Sequence, residues 1–537
     1  MSSISLLIRA TKPYRRRALA SLMLVCLALF VTASVGAAGQ SAEAQAHADK
    51  GLELAQEGHF DSAEAELRRA VELAPNEPAF LADLGTILAM EKKLDESTSV
   101  FTQALKLNPS DSTARRYLAA NLWQLHRYSD AKRNLEIILK EQPGDQQSLL
   151  LLGMVSENMK DYATAARSLA SVPALVRERP ESIAALARSY YHLGEKDKAR
   201  ATLEELRATP AGPQGVFLGA QIANEMGDYD TAEKLLLSIE SAYPDPAALG
   251  YNLALVQYCA KRFDESRRTL LRLVDSGYKT GEILNLLGWC YQQQNQPQEA
   301  AGALEQAIAL EPAQESNYLD LGKVLLANRS LPAALELARR VTQTFPDSPR
   351  AFVLKGSVEL KMSQFTDAVT SFSRAAVLAP GDPDASLGLA QAQFGAGMRK
   401  ESAANFESAM KRFPKDARFP LEYAIVLLKE AETGDAPTEP RPEALLESAL
   451  ALNGSSSEAH YQLGNLYLEK GQAAASLPHL EKAAKLDTQS ARIHFALSRV
   501  YRRLGRNAEA SKELDLYQDL KNKESQSEPV PAGMSPH

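Results

Sequence analysis

The sequence has few cysteines and lacks the motifs of the common catalytic and metal centres. Only Cys26, Cys259 and Cys290 occur among 537 residues, which is too few for a disulfide framework, and their spacing is not that of a zinc site. The eight histidines are scattered, and no HExxH, P-loop or GxSxG motif occurs. We therefore predict that the protein is not an enzyme and holds neither a metal nor a cofactor.

An excess of positive charge is also missing. The chain has 60 basic and 67 acidic residues, a formal net charge of −7. Residues 1–42 contain five basic residues and no acid, so the rest of the chain is more acidic than this total indicates. A chain without a basic stripe does not attract a phosphate backbone, and we predict no nucleic-acid partner.

Residues 1–43 have the pattern of an export signal. A basic cluster, Arg15 to Arg17, precedes an apolar run over residues 18–35, and small residues follow at 36–39. This order is typical of a cleaved secretory signal, but the run also reaches the length of an uncleaved membrane anchor. Both alternatives place the following chain outside the cytoplasmic membrane, in a bacterial periplasm or envelope, with membrane contact only through this segment. A misassigned start codon ahead of a cytoplasmic protein is the remaining alternative.

The rest of the chain repeats with a period of about 34 residues. Small residues recur at position 8 of each unit, Ala or Ser at position 20, Leu or Phe at position 24 and Pro at position 32. A fixed period of this length is the signature of a repeat architecture. The columns define fourteen units, which start near residues 44, 78, 112, 146, 180, 213, 247, 281, 315, 349, 383, 417, 457 and 491.

Each unit predicts two helices. Apolar or small residues fall at positions 4, 7, 8 and 11, and again at positions 20, 24, 27 and 28, which is helical spacing. A turn, usually with glycine, separates the two stripes, and proline at position 32 ends the second helix. Small residues at positions 8 and 20 let the antiparallel helices approach closely. A single hairpin of this size buries too little apolar surface to fold alone, so the units are expected to stack into a solenoid.

These columns resemble the tetratricopeptide repeat (TPR) family. The unit YLAANLWQLHRYSDAKRNLEIILKEQP, Tyr117 to Pro143, carries nearly all of the family's pattern, although the tryptophan usual at position 4 is absent from every unit. The resemblance covers residues 44–524. It implies an all-α solenoid of about fourteen helical hairpins in a right-handed superhelix, with the first helices lining a concave groove.

Two segments depart from the repeat. Residues 429–443, KEAETGDAPTEPRPE, interrupt the twelfth unit and are predicted to form an exposed loop. Residues 525–537 are polar and contain proline, which predicts a disordered tail. Cys290 falls at position 10 and is predicted to be a buried thiol; a disulfide with Cys259 is the alternative in an oxidising compartment.

In the TPR family, side chains at positions 2, 5, 9, 12 and 13 of the first helix point into the groove. In the fifth to eighth units these positions are rich in aromatic residues, which anchor interfaces, and in amides, which hydrogen-bond a peptide backbone or sugar hydroxyls. No unit has lysine at position 5, so the family's carboxylate clamp is not expected. The alternative is that the aromatic residues pack between units. The predicted partner-binding residues are Trp123, Tyr191, Phe217, Gln221, Asn224, Tyr251, Tyr258, Asn285, Trp289, Gln292 and Gln293.

The leading hypothesis is a non-catalytic interaction scaffold outside the cytoplasmic membrane. It would bind a protein, a peptide or a polysaccharide in the groove. Bacterial proteins with many TPR units often serve envelope assembly, secretion or exopolysaccharide export, and only the resemblance carries this association. The alternatives are a membrane-anchored adaptor that regulates an enzyme complex and, more remotely, an enzyme with an unrecognised site.

Overall fold

The computed structural model describes residues 42–209, 212–432 and 441–527. Within these ranges the chain forms 29 α-helices and one short 3₁₀-helix, Glu205–Ala208, and no strand, which confirms the all-α prediction. The predicted export segment, apart from its last two residues, lies outside the described residues, as do residues 433–440 of the predicted loop and 528–537 of the predicted tail. None of the described helices is long and apolar enough to cross a membrane.

Two compact bodies divide the chain between Thr269 and Leu270; we call residues 42–269 the N-terminal body and residues 270–527 the C-terminal body. The N-terminal body contains α1 (Ala42–Gln56), α2 (Phe60–Leu73), α3 (Pro78–Met90), α4 (Leu94–Leu107), α5 (Ser112–Gln124), α6 (Tyr128–Glu141), α7 (Gln146–Asn158), α8 (Tyr162–Ala170), α9 (Pro173–Arg177), α10 (Pro180–His192), α11 (Lys196–Glu204), α12 (Pro213–Glu225), α13 (Tyr229–Ser238) and α14 (Pro246–Cys259).

The boundary falls inside α15 (Phe263–Asp275). The C-terminal body continues with α16 (Gly281–Gln293), α17 (Pro297–Leu310), α18 (Glu315–Ala327), α19 (Leu331–Thr344), α20 (Pro349–Lys361), α21 (Phe365–Leu378), α22 (Pro383–Gly395), α23 (Arg399–Arg412), α24 (Arg418–Glu432), α25 (Arg441–Leu452), α26 (Ser457–Glu469), α27 (Ala473–Leu486), α28 (Ala491–Arg503) and α29 (Asn507–Ser527).

Apart from α9, the helices form consecutive hairpins. The first helices begin within two residues of the predicted unit starts, at 42, 78, 112, 146, 180, 213, 246, 281, 315, 349, 383, 418, 457 and 491. Neighbouring hairpins share their apolar interior: one buried cluster runs from Leu150 on α7 to Val256 on α14. The hairpins therefore stabilise one another, as expected for units too small to fold alone.

In several units, glycine at position 8 is explained by the residue at position 24. A Cβ atom on Gly153 would lie 2.4 Å from Cγ of Leu169, and one on Gly288 would lie 2.7 Å from Cγ of Leu304. Real Cβ contacts are not this short, so only glycine permits the two helices to pack at this distance. The two sequence columns are thus the two sides of one contact.

Serine at position 20 adds a hydrogen bond at the same crossing. The Ser97 hydroxyl donates to the Gly85 carbonyl oxygen at 2.6 Å, and the Ser266 hydroxyl donates to that of Ala254 at 2.7 Å. The same bond links Ser402 with Ala390 and Ser476 with Gly464. Because serine is buried here, this bond compensates the loss of hydration of its hydroxyl.

The hairpin turns require a left-handed backbone conformation. Gly58, Gly194 and Gly227 have positive φ angles at this turn, and Asn295 occupies it in the eighth unit with φ 58°. Asparagine tolerates this conformation better than most residues with a side chain. The stretch LLGWCYQQQNQPQEA is therefore an ordinary hairpin rather than a linker.

In the third, ninth, thirteenth and fourteenth units, position 4, where the family usually has tryptophan, holds a polar side chain that contacts the end of the preceding hairpin, whereas in most other units this position is apolar. Nη2 of Arg115 donates to the Pro109 carbonyl oxygen at 2.6 Å, and the Tyr318 hydroxyl donates to that of Pro312 at 3.1 Å. Nε2 of His460 and Nε2 of His494 lie 3.3 Å from the carbonyl oxygens of Gly454 and Thr488. In each case the acceptor lies six residues earlier, at the end of the preceding hairpin.

Some elements differ from a uniform repeat. The fourth unit ends in the additional helix α9, which begins at Pro173 because proline is well suited to the first turn of a helix. Both described ends of the predicted loop at 429–443 are helical, since α24 continues to Glu432 and α25 begins at Arg441. Helix α29 continues to Ser527, three residues into the predicted tail.

Replacing Ala300 by Leu should destabilise the hairpin of α16 and α17 by about 1–3 kcal/mol, because added methyl groups overpack a closely packed core. Ala300 is fully buried, and its carbonyl oxygen lies only 3.2 Å from the Cβ position of Gly288. Chemical denaturation would measure the loss. Ala309→Leu, at an exposed position of the same helix, is the control, and equal stability of the two variants would contradict the assigned positions.

Candidate functional site

Trp123 lies at the end of α5 and connects two hairpins. Its Nε1–H donates to Oδ1 of Asn158, at the end of α7, at 2.7 Å. The indole is half-buried against the apolar cluster around α5 and α6. The buried part of the ring stabilises the fold, and the remaining part is available to a partner.

Tyr191, unlike the other predicted aromatic residues, is buried between two hairpins. Only 8% of the residue is exposed, and its hydroxyl donates to Oδ2 of Asp228 at 2.9 Å. Burial and the adjacent carboxylate raise the pKa of Tyr191. Burial opposes ionisation of Asp228, but hydrogen bonds from Arg200 and Tyr191 outweigh this effect and lower its pKa. The ring and hydroxyl of Tyr191 thus contact the following unit through Asp228.

The other predicted residues of the N-terminal body lie on α12 and α14. Phe217 stacks on Tyr243 with ring centres 4.6 Å apart, and Tyr258 contacts Phe263 edge-on at 5.2 Å. The rings of Phe217 and Tyr258 remain partly exposed, as does Tyr251. These contacts hold Phe217 and Tyr258 in fixed orientations, which reduces the entropy lost when a partner packs on them.

Two amides accompany these aromatic residues on α12. Gln221 is exposed and Asn224 is half-buried. Oδ1 of Asn224 is buried and accepts no hydrogen bond from the described residues. We call Phe217, Gln221, Asn224, Tyr251 and Tyr258 the aromatic patch of the N-terminal body.

In the C-terminal body, the amides of α16 bind the next first helix, α18. Nδ2 of Asn285 donates to Oδ1 of Asn317 at 3.0 Å and to Oδ2 of Asp320 at 3.1 Å. Gln292 and Asn328 exchange two hydrogen bonds, of 3.0 and 3.4 Å. Most of the hydrogen-bonding groups of Asn285 and Gln292 are therefore used in contacts between hairpins.

Of the four predicted residues on α16, Trp289 and Gln293 make no hydrogen bond to α18 among the described residues and remain at least partly exposed. Trp289 is half-buried, and Nζ of Lys323 lies 6.0 Å from the centre of its ring. Gln293 is exposed. We call Asn285, Trp289, Gln292 and Gln293 the tryptophan patch of the C-terminal body; its outer residues are one aromatic anchor and one amide.

The sequence prediction did not include the partners of these side chains. These partners lie between 32 and 36 residues further along the chain, on the first helix of the next hairpin or directly after it: Asn158, Asn317, Asp320, Lys323 and Asn328. The repeat pattern could have predicted these partners. Polar residues about one period further along the chain lie on the next first helix, opposite the predicted residues. In the C-terminal body, prediction of these partners requires the sequence of the ninth unit as well as that of the eighth.

The described ranges contain no group of three or more His, Cys, Asp or Glu side chains placed to hold a metal ion. Cys259 and Cys290 do not form a disulfide, and Cys290 is buried as predicted. Burial raises the pKa of the Cys259 thiol, which lowers the fraction of reactive thiolate.

Tandem helical hairpins whose first helices carry aromatic and amide side chains define a helical-repeat protein. The chain belongs to the tetratricopeptide repeat family: a family model described as tetratricopeptide repeat matches residues 48–112, 117–183, 217–279, 251–315, 353–417 and 443–491. Two further models with the same description match residues 291–357 and 468–527, and residues 185–209. Repeats of this family generally mediate protein–protein interactions and are typically non-catalytic scaffolds.

Solved structures with similar folds include the APC/C hetero-tetramer Cut9–Hcn1, at 14% identity, with 90% of this chain and 94% of that chain covered and a TM-score of 0.37. Yeast Tom70 is 16% identical over 91% of this chain and 98% of its own, with a TM-score of 0.35. Human IFIT1 is 18% identical over 70% and 90%, with a TM-score of 0.37. No curated protein sequence matches the chain.

Proposed function

We propose that the protein is a non-catalytic scaffold that binds an extended partner segment on the first helices of its hairpins. The observation that carries this proposal is the partial exposure of aromatic and amide side chains after the contacts between hairpins have formed. Phe217, Tyr251 and Tyr258 in the aromatic patch, and Trp289 in the tryptophan patch, are of this kind. Large rings with few rotatable bonds, held by their neighbours, are typical of the residues that dominate binding energy.

Crosslinking from the exposed amides tests the proposal. A photoreactive amino acid at Gln221 or Gln293 should capture a specific partner in the native host, because both side chains are exposed beside the aromatic anchors. The same residue at Gln298, exposed on the second helix α17, is the matched control. Identical products from Gln293 and Gln298 would contradict a specific surface on the first helix. Captured glycans, rather than peptides, would assign the polysaccharide alternative.

With the captured partner in hand, Tyr258→Ala and Trp289→Ala should each weaken binding by about 1–3 kcal/mol, which is roughly 5- to 150-fold in Kd. Titration calorimetry measures the affinity, and circular dichroism is expected to show unchanged helicity. If both variants instead lower the melting temperature and leave the affinity intact, these rings serve the fold and the binding surface lies elsewhere.

We also propose that the scaffold lies outside the cytoplasmic membrane of a bacterium and serves envelope assembly, secretion or exopolysaccharide export. The basic cluster, apolar run and small residues of the first 43 positions support export. Mass spectrometry of the mature protein is the test. A first peptide between Ala37 and Ala48 indicates a cleaved signal, an intact Met1 in the membrane fraction indicates the anchored adaptor, and an intact Met1 in the cytoplasm overturns export.

A further inference from the structure

Positions 4 and 23 of one hairpin contact each other in several units, and the pair usually joins a donor with an oxygen acceptor. Arg115 binds Asn134 at 3.4 Å, His47 lies 2.6 Å from the Glu66 carboxylate, and the same positions in the last hairpin hold His494 and Glu513, 2.7 Å apart. The hairpin of α26 and α27 differs, since both positions hold histidine.

In this hairpin, Nδ1 of His460 and Nδ1 of His479 lie 3.2 Å apart. Nε2 of His460 faces the Gly454 carbonyl oxygen at 3.3 Å. A carbonyl only accepts, so Nε2 carries the proton and a neutral His460 has its lone pair on Nδ1, directed at His479.

We propose that His460 and His479 form a two-histidine site for a divalent transition-metal ion. Metal–nitrogen bonds of about 2.0–2.1 Å to two atoms 3.2 Å apart subtend an angle of about 100° at the metal, close to that of a tetrahedral site. Imidazole nitrogen suits Zn²⁺, Cu²⁺ and Ni²⁺ rather than Mg²⁺ or Ca²⁺.

The surroundings of the pair fit this assignment. The bond from His460 Nε2 to a main-chain carbonyl is the outer contact that metal-binding histidines commonly make. Without an ion, Nδ1 of His479 carries the proton that it donates to Nδ1 of His460. When the ion binds, this proton moves to Nε2 of His479. The described residues supply no hydrogen-bond partner for that nitrogen. Glu447 acts electrostatically on His479 and favours a cation, whereas Lys482 acts on His460 in the opposite sense. Since no third protein ligand is in place among the described residues, water completes the coordination.

Calorimetric titration of the untagged full chain with ZnCl₂, repeated with CoCl₂ and monitored by visible absorption, tests the site. The wild type should bind one ion that His479→Asn binds at least tenfold more weakly. This variant installs the residue that the third unit has at position 23, Asn134, so its hairpin keeps a hydrogen-bond partner for position 4. His494→Gln, at position 4 of the next unit, is the matched control and should retain the ion.

The thermal melt provides a second measurement. Zn²⁺ should raise the melting temperature of the wild type and of His494→Gln, but not that of His479→Asn, because an ion bound only by the folded state stabilises it. Binding that is equal in the wild type and His479→Asn, or no binding by the wild type at 100-fold excess of ZnCl₂, would overturn the proposal and leave a hydrogen bond between the two imidazoles.

Discussion

Replacing Asp83 by Asn is expected to stabilise the protein strongly at pH 8 and hardly at all at pH 4. Asp83 lies on α3 and is 9% exposed. Burial raises its pKa to about 7, and the charges of Asp111 and Asp49 add to the effect. Asparagine resembles the protonated carboxyl in shape and charge, but it never ionises.

The sign of the pH dependence follows from proton binding. Between about pH 4, near the pKa of an unfolded aspartate, and pH 7, the folded state holds a proton that the unfolded state has released. The stability of the wild type therefore falls as the pH rises through this window, by up to ~4 kcal/mol for a shift of about three units. In urea denaturation between pH 4 and pH 8, the free energy of unfolding should change less with pH for Asp83→Asn than for the wild type. Asp95→Asn, at an exposed position of α4, is the control, and the same pH dependence of stability in the wild type and Asp83→Asn would contradict the burial of a protonated acid.

Replacing Asp228 by Ala should cost about 2–4 kcal/mol, because it leaves a buried hydroxyl and a guanidinium without their acceptor. Asp228 accepts hydrogen bonds from the Tyr191 hydroxyl and, at 2.7 and 3.1 Å, from Nε and Nη2 of Arg200. Tyr191→Phe removes only one of these bonds and should cost about 0.5–1.5 kcal/mol.

Denaturation of the single and double variants measures the coupling. The double variant should cost less than the sum of the single ones, because the two residues share one interaction. Asp197→Ala is the control, since the Asp197 carboxylate is fully exposed although it lies 3.7 Å from Arg200. If Asp228→Ala were no more destabilising than Asp197→Ala, the network would contribute nothing to stability.

The sequence predicts the hairpins well because the features that form them recur inside one unit. Glycine at position 8 and leucine at position 24 face each other in the same hairpin, as Gly153 and Leu169 do, so a short spacing carries the information. Prediction of the surface is weaker because exposure depends on the neighbouring hairpin. Tyr191 and Trp123 occupy the same position of their units, yet Tyr191 is buried and Trp123 is not.

The contacts between polar side chains at position 4 and main-chain carbonyl oxygens of the preceding hairpin affect how such a chain can gain and lose hairpins. His494, for example, binds Glu513 of its own hairpin, and on the other side it needs only the main-chain oxygen of Thr488. Every hairpin has such a main-chain oxygen whatever its sequence. Duplication or deletion of whole units by recombination therefore preserves this hydrogen bond between neighbouring hairpins. The amide pairs between first helices, such as Gln292 with Asn328, are different: each requires a particular neighbour, and a shuffled copy would lose them first.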